Sequence, residues 1–272
     1  MNPVDIKNLT IGGGAPLVLI AGPCVLENKP MAMNIASTLK DITSRLNIGF
    51  IFKASYDKAN RTSIGSFRGP GLSTGLGILS DIGRELDIPV TSDVHRVSEV
   101  DLAAEVLDII QVPAFLCRQT DLVVKIAETG RPINIKKGQF LAPWDMENVV
   151  NKARSTGNHQ IILTERGATF GYNNLVVDMR SIRIMQKIGC PVIFDATHSV
   201  QLPGGAKTSS AGEREYAPLL ARAAIAAGAD ALFLEVHPDP DRALCDGPNS
   251  IVLNDLEILL KEISAIRNAL TT

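Results

Sequence analysis

Six basic residues, Lys53, Lys58, Arg61, Arg118, Lys136 and Arg166, each follow closely on, or end, a short apolar run rich in β-branched residues. If the fold brings them to one mouth, they repel one another unless a ligand neutralises them. The expected ligand therefore carries several negative charges. Arginine supplies bidentate forks for phosphate or carboxylate, and lysine supplies point charge. The plain alternative is that single members snorkel outward or pair with Asp57, Asp93 or Glu165. A second set follows other runs: Cys24 after the turn Gly22-Pro23, His198, and Glu235, with Asp246 in the stretch ALCDGPNS. Cysteine, histidine and carboxylates together suit a borderline divalent transition ion such as Zn²⁺, Fe²⁺ or Mn²⁺ rather than Mg²⁺, which prefers oxygen alone. No short motif such as HExxH is present, so spacing alone assigns no metal site. A lone buried thiol is also a common structural residue. Both sets acquire meaning only through the elements that position them.

Those elements alternate along the whole chain. Apolar runs lie at 16–22, 49–55, 88–94, 109–114, 132–137, 160–166, 191–198 and 231–237. Helix-like segments separate and follow them at about 29–46, 72–86, 97–105, 119–129, 145–156, 178–188, 213–228 and 252–270. In the last, Leu256, Leu259, Leu260, Ile263 and Ile266 recur at helical spacing, and Asn254 or Asp255 is placed to cap the first turn. Eight strand–helix units predict an α/β fold: one (β/α)₈ TIM barrel domain over residues 1–272, with 1–15 as an N-terminal extension. Within that extension, NLTIGGGAP reads as part of a short hairpin across the barrel floor. An open doubly wound sheet would favour a GxGxxG turn after the first strand, and AGPCVLEN has none.

In such a barrel, chemistry sits at the C-terminal ends of the strands. Those ends carry Cys24, Lys53, Asp93 with His95, Arg118, Lys136, Glu165 with Arg166, Asp195 with His198, and Glu235 with His237. The opposite ends carry mainly glycine, proline and aliphatic residues. Closure makes strands seven, eight and one neighbours, which brings Cys24, His198 and Glu235 together. His237 shares a face with Glu235 by alternation, as an alternative ligand or a supporting group. His159 opens its strand at the wrong end, and Cys117, Cys190 and Cys245 read as structural.

Composition narrows the function. Apolar content of 45% and charged content of 21% suit a globular domain with a sizeable core. A net charge of −2 argues against a general nucleic-acid binder. No apolar stretch approaches the ~20 residues of a membrane span, and the N-terminus shows no secretory signal. Four scattered cysteines read as reduced thiols and the protein as cytoplasmic.

The blocks KASYDKANRTSIGSFRGPG (53–71), PAFLCRQTDL (113–122), KKGQFLAPWD (136–145), LTERGATFGYNNLVVDMR (163–180) and DATHSVQLPGG (195–205) resemble the 3-deoxy-D-manno-octulosonate 8-phosphate synthases. The resemblance covers essentially the whole chain. It implies a barrel, usually a homotetramer, that condenses phosphoenolpyruvate with arabinose 5-phosphate and releases phosphate, on the route to the inner-core sugar of lipopolysaccharide. By resemblance, Lys53, Lys58, Lys136 and Arg166 hold phosphoenolpyruvate with Gln111 nearby, and Asn60, Arg61, Ser63 and Arg118 hold arabinose 5-phosphate. Lys53, Lys58, Lys136, His198 and Asp246 are the candidate catalytic groups. The family has two forms. The metal-independent form carries Asn at position 24. The metal-dependent form carries Cys, His, Glu and Asp, matching Cys24, His198, Glu235 and Asp246. The resemblance thus implies one divalent ion, Zn²⁺, Fe²⁺, Mn²⁺ or Co²⁺. A sister synthase uses erythrose 4-phosphate and reads KPR where this chain has Lys58-Ala59-Asn60-Arg61. A non-catalytic sugar-phosphate barrel would keep the basic pocket but has no need of the four ligands together, and a metallohydrolase would release phosphate from phosphoenolpyruvate alone.

Overall fold

A computed structural model describes residues 1–205 and 211–271. Eight parallel strands form the barrel: β1 (Val18–Gly22), β2 (Gly49–Lys53), β3 (Val90–Asp93), β4 (Ile109–Val112), β5 (Ile133–Lys136), β6 (Ile161–Glu165), β7 (Val192–Asp195) and β8 (Ala231–His237). Each pairs with its neighbours in chain order. The ring closes through β7 against β8 and β8 against β1, with Ala231 opposite both Ile193 and Val18. Each expected run contains one of these strands, but most strands stop short of the run. The run 191–198 ends as strand at Asp195. There the Asp195 side chain accepts from the His198 backbone N–H at 2.9 Å and starts the short helix Ala196–Ser199. His198 therefore sits on a helical turn just beyond the strand.

Two-residue alternation builds the interior. Val18, Ile20, Ile51, Ile109, Ile162, Ile193, Ala231 and Phe233 form one buried cluster inside the ring. Two residues further along, on the same face, β2 presents Lys53, β4 Gln111, β7 Asp195 and β8 Glu235. An apolar plug thus gives way to a polar layer within one pleat repeat. The plug is sealed from below by the expected hairpin, Val4–Ile6 against Leu9–Ile11, whose Val4, Ile6 and Ile11 join the same cluster.

The surrounding helices match the expected segments with trimmed ends. Lys29–Arg45 is capped by Asn28, whose side chain accepts from the Met31 N–H at 2.9 Å. The segments 97–105, 213–228 and 252–270 open with 3₁₀ turns before helices Val100–Val106, Ala217–Ala226 and Leu256–Thr271. Asn254 and Asp255 lie in the last of these turns, with Asp255 directly before the first helical residue, Leu256. Among the described residues, no helix is long and apolar enough to cross a membrane.

Candidate active site

Strand pairing outlasts β1. Beyond Pro23, Ser55 N–H donates to the Cys24 carbonyl at 3.4 Å and Leu26 N–H to that of Ser55 at 3.0 Å, which fixes Cys24 over the barrel mouth. Gly22 permits this course, because a Cβ there would lie 2.0 Å from the Lys53 carbonyl oxygen. Asp246 arrives from the loop after β8 in a left-handed conformation (φ 48°), ahead of the 3₁₀ turn Gly247–Asn249.

The candidate ligands meet. Cys24 Sγ lies 3.3 Å from Asp246 Oδ2, and His198 Nε2 lies 3.6 Å from Glu235 Oε1 and 3.9 Å from Asp246 Oδ2. Two three-residue groups result, Cys24 with Cys245 and Asp246, and His198 with Glu235 and Asp246. Within each group the donor atoms lie within 4.8 Å of one another, and Asp246 belongs to both. Glu235 is fully buried, and neither carboxylate oxygen accepts a hydrogen bond. A buried, unsatisfied carboxylate beside an imidazole, a second carboxylate and a thiol is the donor set that a divalent ion completes.

Around this cluster lies a cavity lined by Lys53, Lys58, Asn60, Arg61, Gln111, Lys136 and Arg166, together with His198, Asp246, Asp93, Gln139 and Gln201. Lys53 Nζ and Lys58 Nζ approach Glu235 Oε1 at 3.6 and 3.8 Å. Lys53 also bonds Ser55 Oγ at 2.9 Å and lies 3.8 Å from Asp93. Lys136 donates to Asp195 Oδ2 at 2.5 Å, and its ammonium lies 3.8 Å from the Phe233 ring centroid. Arg166 bonds Gln201 Oε1 at 3.0 Å and keeps Nη1 buried without a partner. Five Lys and Arg side chains thus line a cavity that has two carboxylates, Asp93 and Asp246, in its wall.

Electrostatics keep the groups in distinct states. Burial opposes ionisation of Asp195, but His198 and Lys136 outweigh it and hold the carboxyl far below its usual range. For Asp246, burial is likewise overcome by Lys58 and His198, and its carboxyl also lies below the usual value. Burial, then the contacts with Cys245 and Asp246, push the Cys24 thiol well above its ordinary value. Burial draws the Lys136 ammonium below the usual lysine range, even with Asp195 beside it.

Two expected residues stay outside. Arg118 is exposed and does not line the cavity. After β4 the chain makes the 3₁₀ turn Ala114–Leu116 and runs outward into helix Thr120–Glu128. Ser63 lies in the loop after β2, and its hydroxyl accepts from Gly65 N–H at 3.4 Å. His237 turns from the cavity: its Nδ1 accepts from Asp239 N–H at 3.0 Å and its Nε2 lies 3.4 Å from Glu27. Glu165 accepts from the backbone N–H groups of Arg166 and Gly167 and braces the loop instead of facing ligand. His95 stands behind the wall, 3.1 Å from Asp93 Oδ2 and edge-on to Tyr56.

One residue needs correction. Cys245, read as structural, lines the cavity, with its Sγ 2.9 Å from Cys24 Sγ and 2.7 Å from Arg61 Nη1. Its position next to Asp246 was the available signal, since any fold that delivers Asp246 to the mouth brings its neighbour too. Gln201 carried no such signal. It bridges Arg166 and Asp246, with Nε2 3.5 Å from Asp246 Oδ1.

Comparison with known proteins agrees over the full length. A family model described as the DAHP synthetase I family matches residues 1–272. A relative from Geobacter sulfurreducens is 62% identical over 263 residues, covering 97% of each chain. One from Geotalea uraniireducens shows the same identity and coverage. One from Desulfosudis oleivorans is 63% identical over 269 residues, covering 98% of this chain and 96% of its own. All three are named 2-dehydro-3-deoxyphosphooctonate aldolase.

Proposed function

The chain belongs to the DAHP synthetase I family, and we propose that it condenses phosphoenolpyruvate with D-arabinose 5-phosphate and water. The products are 3-deoxy-D-manno-octulosonate 8-phosphate and inorganic phosphate, and the activity is a transferase activity serving lipopolysaccharide inner-core sugar synthesis. The name shared by the relatives favours this aldehyde over erythrose 4-phosphate. The observation that carries the reading is the joining of a five-cation cavity to the Cys24, His198, Glu235, Asp246 cluster. Two phosphates and a carboxylate need the first, and a sugar-phosphate sensor would have no use for the second.

In this reading Lys53, Lys58, Lys136, Arg166 and Gln111 hold phosphoenolpyruvate, and Asn60 and Arg61 hold the sugar phosphate. C3 of the enol attacks the aldehyde carbon, water adds at C2, and the tetrahedral intermediate expels phosphate by C–O cleavage. The cationic wall aligns the reactants and stabilises the anionic intermediate. Lys136, set by Asp195, offers a positive charge without a large desolvation change during reaction. His198 Nε2 and the Asp246 carboxylate face the same cluster, and they can hold or move a proton only where they do not bind the ion. Cys24, His198, Glu235 and Asp246 would hold one divalent ion, Zn²⁺, Fe²⁺, Mn²⁺ or Co²⁺, which when bound supplies Lewis-acid polarisation of a substrate oxygen. Arg118 and Ser63 remain candidates for the sugar phosphate only from outside the cavity of the described chain.

The homotetramer implied by the resemblance is supported by exposed Phe115, Phe140, Trp144, Phe170 and Tyr172 on three consecutive βα loops. Such a concentration of exposed aromatics marks a contact surface. A mass in solution equal to four chains would bear this out. A reducing compartment, the cytoplasm, suits four cysteines that are all unbridged.

The test is phosphate release from phosphoenolpyruvate with arabinose 5-phosphate, before and after chelation. The expected result is activity that disappears with the ion and returns with Mn²⁺ or Zn²⁺. Turnover with erythrose 4-phosphate alone would move the protein to the sister reaction, and no turnover with either aldehyde would overturn the reading. Activity surviving verified ion removal would withdraw the ligand role of Cys24.

A further inference from the structure

Lys136 and Lys137 are adjacent in sequence, but only Lys136 lines the cavity. The Lys137 backbone N–H still pairs with the Thr164 carbonyl at 2.8 Å, so strand alternation continues past β5 and turns its side chain away from that of Lys136. There it is 1% exposed. A buried ammonium persists only where it is paired and hydrogen-bonded. This one donates to the Gly167 carbonyl at 3.0 Å and the Leu141 carbonyl at 3.5 Å, and lies 3.4 Å from Glu165 Oε1. The same Glu165 oxygen accepts from Arg166 N–H at 2.9 Å and Gly167 N–H at 2.7 Å. One carboxylate oxygen thus fixes both N–H groups flanking the Arg166 Cα, and one ammonium fixes that oxygen and the next carbonyl. The guanidinium beyond is held less firmly: it bonds Gln201 at 3.0 Å and keeps Nη1 buried without a partner. Its aim into the cavity therefore depends on its backbone.

We propose that Lys137 is a positioning residue for phosphoenolpyruvate, holding through Glu165 and the Gly167 carbonyl the turn from which Arg166 reaches the cavity. This rests on the reading of Arg166 as a phosphoenolpyruvate contact. Lys137 itself touches no substrate, and Glu165 balances its charge. Its bond to Leu141, with that of Thr169 N–H to the Gln139 carbonyl at 2.8 Å, fastens the loop after β5 to the loop after β6. Those loops carry Gln139 and Arg166, both in the cavity wall. Without the ammonium, Glu165 keeps its two backbone bonds but loses its own anchor, and the turn shifts as a unit relative to β5.

The experiment titrates phosphoenolpyruvate, with no aldehyde present, into the full-length protein as wild type, Lys137→Met, Arg166→Ala and the two substitutions combined. Lys137→Met should weaken binding about tenfold, the lower end of what losing a hydrogen bond to a charged group costs. In the Arg166→Ala background the same substitution should change binding by less than about twofold, because effects that act through one group do not add. A lysine that only stabilised the fold would give the same loss in both backgrounds, or none in either. Where Lys137→Met does not fold, Lys137→Met with Glu165→Gln takes its place and should show the same pattern. That pair leaves no buried charge unpaired and keeps an oxygen for the two N–H groups. Unchanged binding in the Lys137 variant, or an equal loss with and without Arg166, would overturn the proposal and leave the reading of Arg166 standing. Undiminished binding in Arg166→Ala would overturn that reading and the proposal with it.

Discussion

Arg61 Nη1 donates to Cys245 Sγ across 2.7 Å, joining the loop after β2 to the loop after β8 over 184 residues of sequence. The contact ties the guanidinium proposed to hold the sugar phosphate to the segment that carries Asp246. Arg61 Nε is buried and has no partner, so the side chain retains unused donor capacity.

Arg61→Ala should therefore raise the KM for arabinose 5-phosphate by about 10- to 150-fold. That corresponds to roughly 1.5–3 kcal/mol for hydrogen bonds to a charged group. The KM for phosphoenolpyruvate should change little. Arg61→Lys should recover only part of the loss, because an ammonium cannot reproduce the fork. Initial-rate kinetics with each substrate varied in turn decide this, and equal losses for both substrates would contradict the assignment.

Cys24→Ser should lower Zn²⁺ uptake and phosphate release together, since an alcohol is a poor replacement for thiolate at such an ion. Measuring bound metal and activity on the same preparation is the check. A variant with full metal content and full rate would show that Cys24 serves another purpose.

The strand–helix rhythm was legible because every barrel strand is a short β-branched run, and because β2, β4, β7 and β8 each place an ionisable or amide side chain two residues beyond an inward apolar one. Position at a strand end also located Lys53, Asp195 and Glu235 on the mouth, whereas Gln111 came only from the family resemblance. Contacts between loops were not legible. The meeting of Cys24 with Cys245, and the bridge from Arg166 through Gln201 to Asp246, depend on how long connections fold back, which no local period encodes. Arg118 shows the converse. Its place after a strand end suggested the cavity, but the 3₁₀ turn at Ala114–Leu116 carries it outward.

Asp93 offers a pH-resolved test. Burial opposes its charge, but Lys53 and His95 more than compensate and hold its carboxyl well below the usual range. A carboxyl depressed in the folded state contributes stability that is present above its unfolded pKa of roughly 3.9 and is lost as pH falls through the folded value. Asp93→Asn should cost about 3–5 kcal/mol at neutral pH, as expected for breaking a buried charge pair. The gap to wild type should hold down to about pH 4 and narrow below it. Denaturant unfolding of both proteins across that range measures the gap, and one that widened in acid would refute the pairing.

Gly22→Ala tests the course of the chain beneath the site. An added Cβ would meet the Lys53 carbonyl at 2.0 Å, so β1 and β2 must separate where they deliver Cys24 and Lys53. The expected cost is about 3 kcal/mol, at the upper end for overpacking, with activity falling more steeply than stability. Thermal unfolding and kinetics on one preparation read both effects, and unaltered kinetics would mean that the strand ends absorb the change.

Ile11→Ala probes the opposite end of the barrel. Ile11 is fully buried in the interior cluster that the hairpin seals, and the plug of Ile20, Ile51, Ile193 and Phe233 in the same cluster leads up to the polar layer. Removing its side chain should cost about 2–5 kcal/mol of stability, from lost burial plus the cavity left behind. The rate per folded molecule should stay near wild type, because the close-packed plug keeps the mouth in place while the floor is weakened. The check is denaturant unfolding together with kcat measured well below the melting temperature. A large fall in kcat with little loss of stability would show that the hairpin is coupled to the mouth.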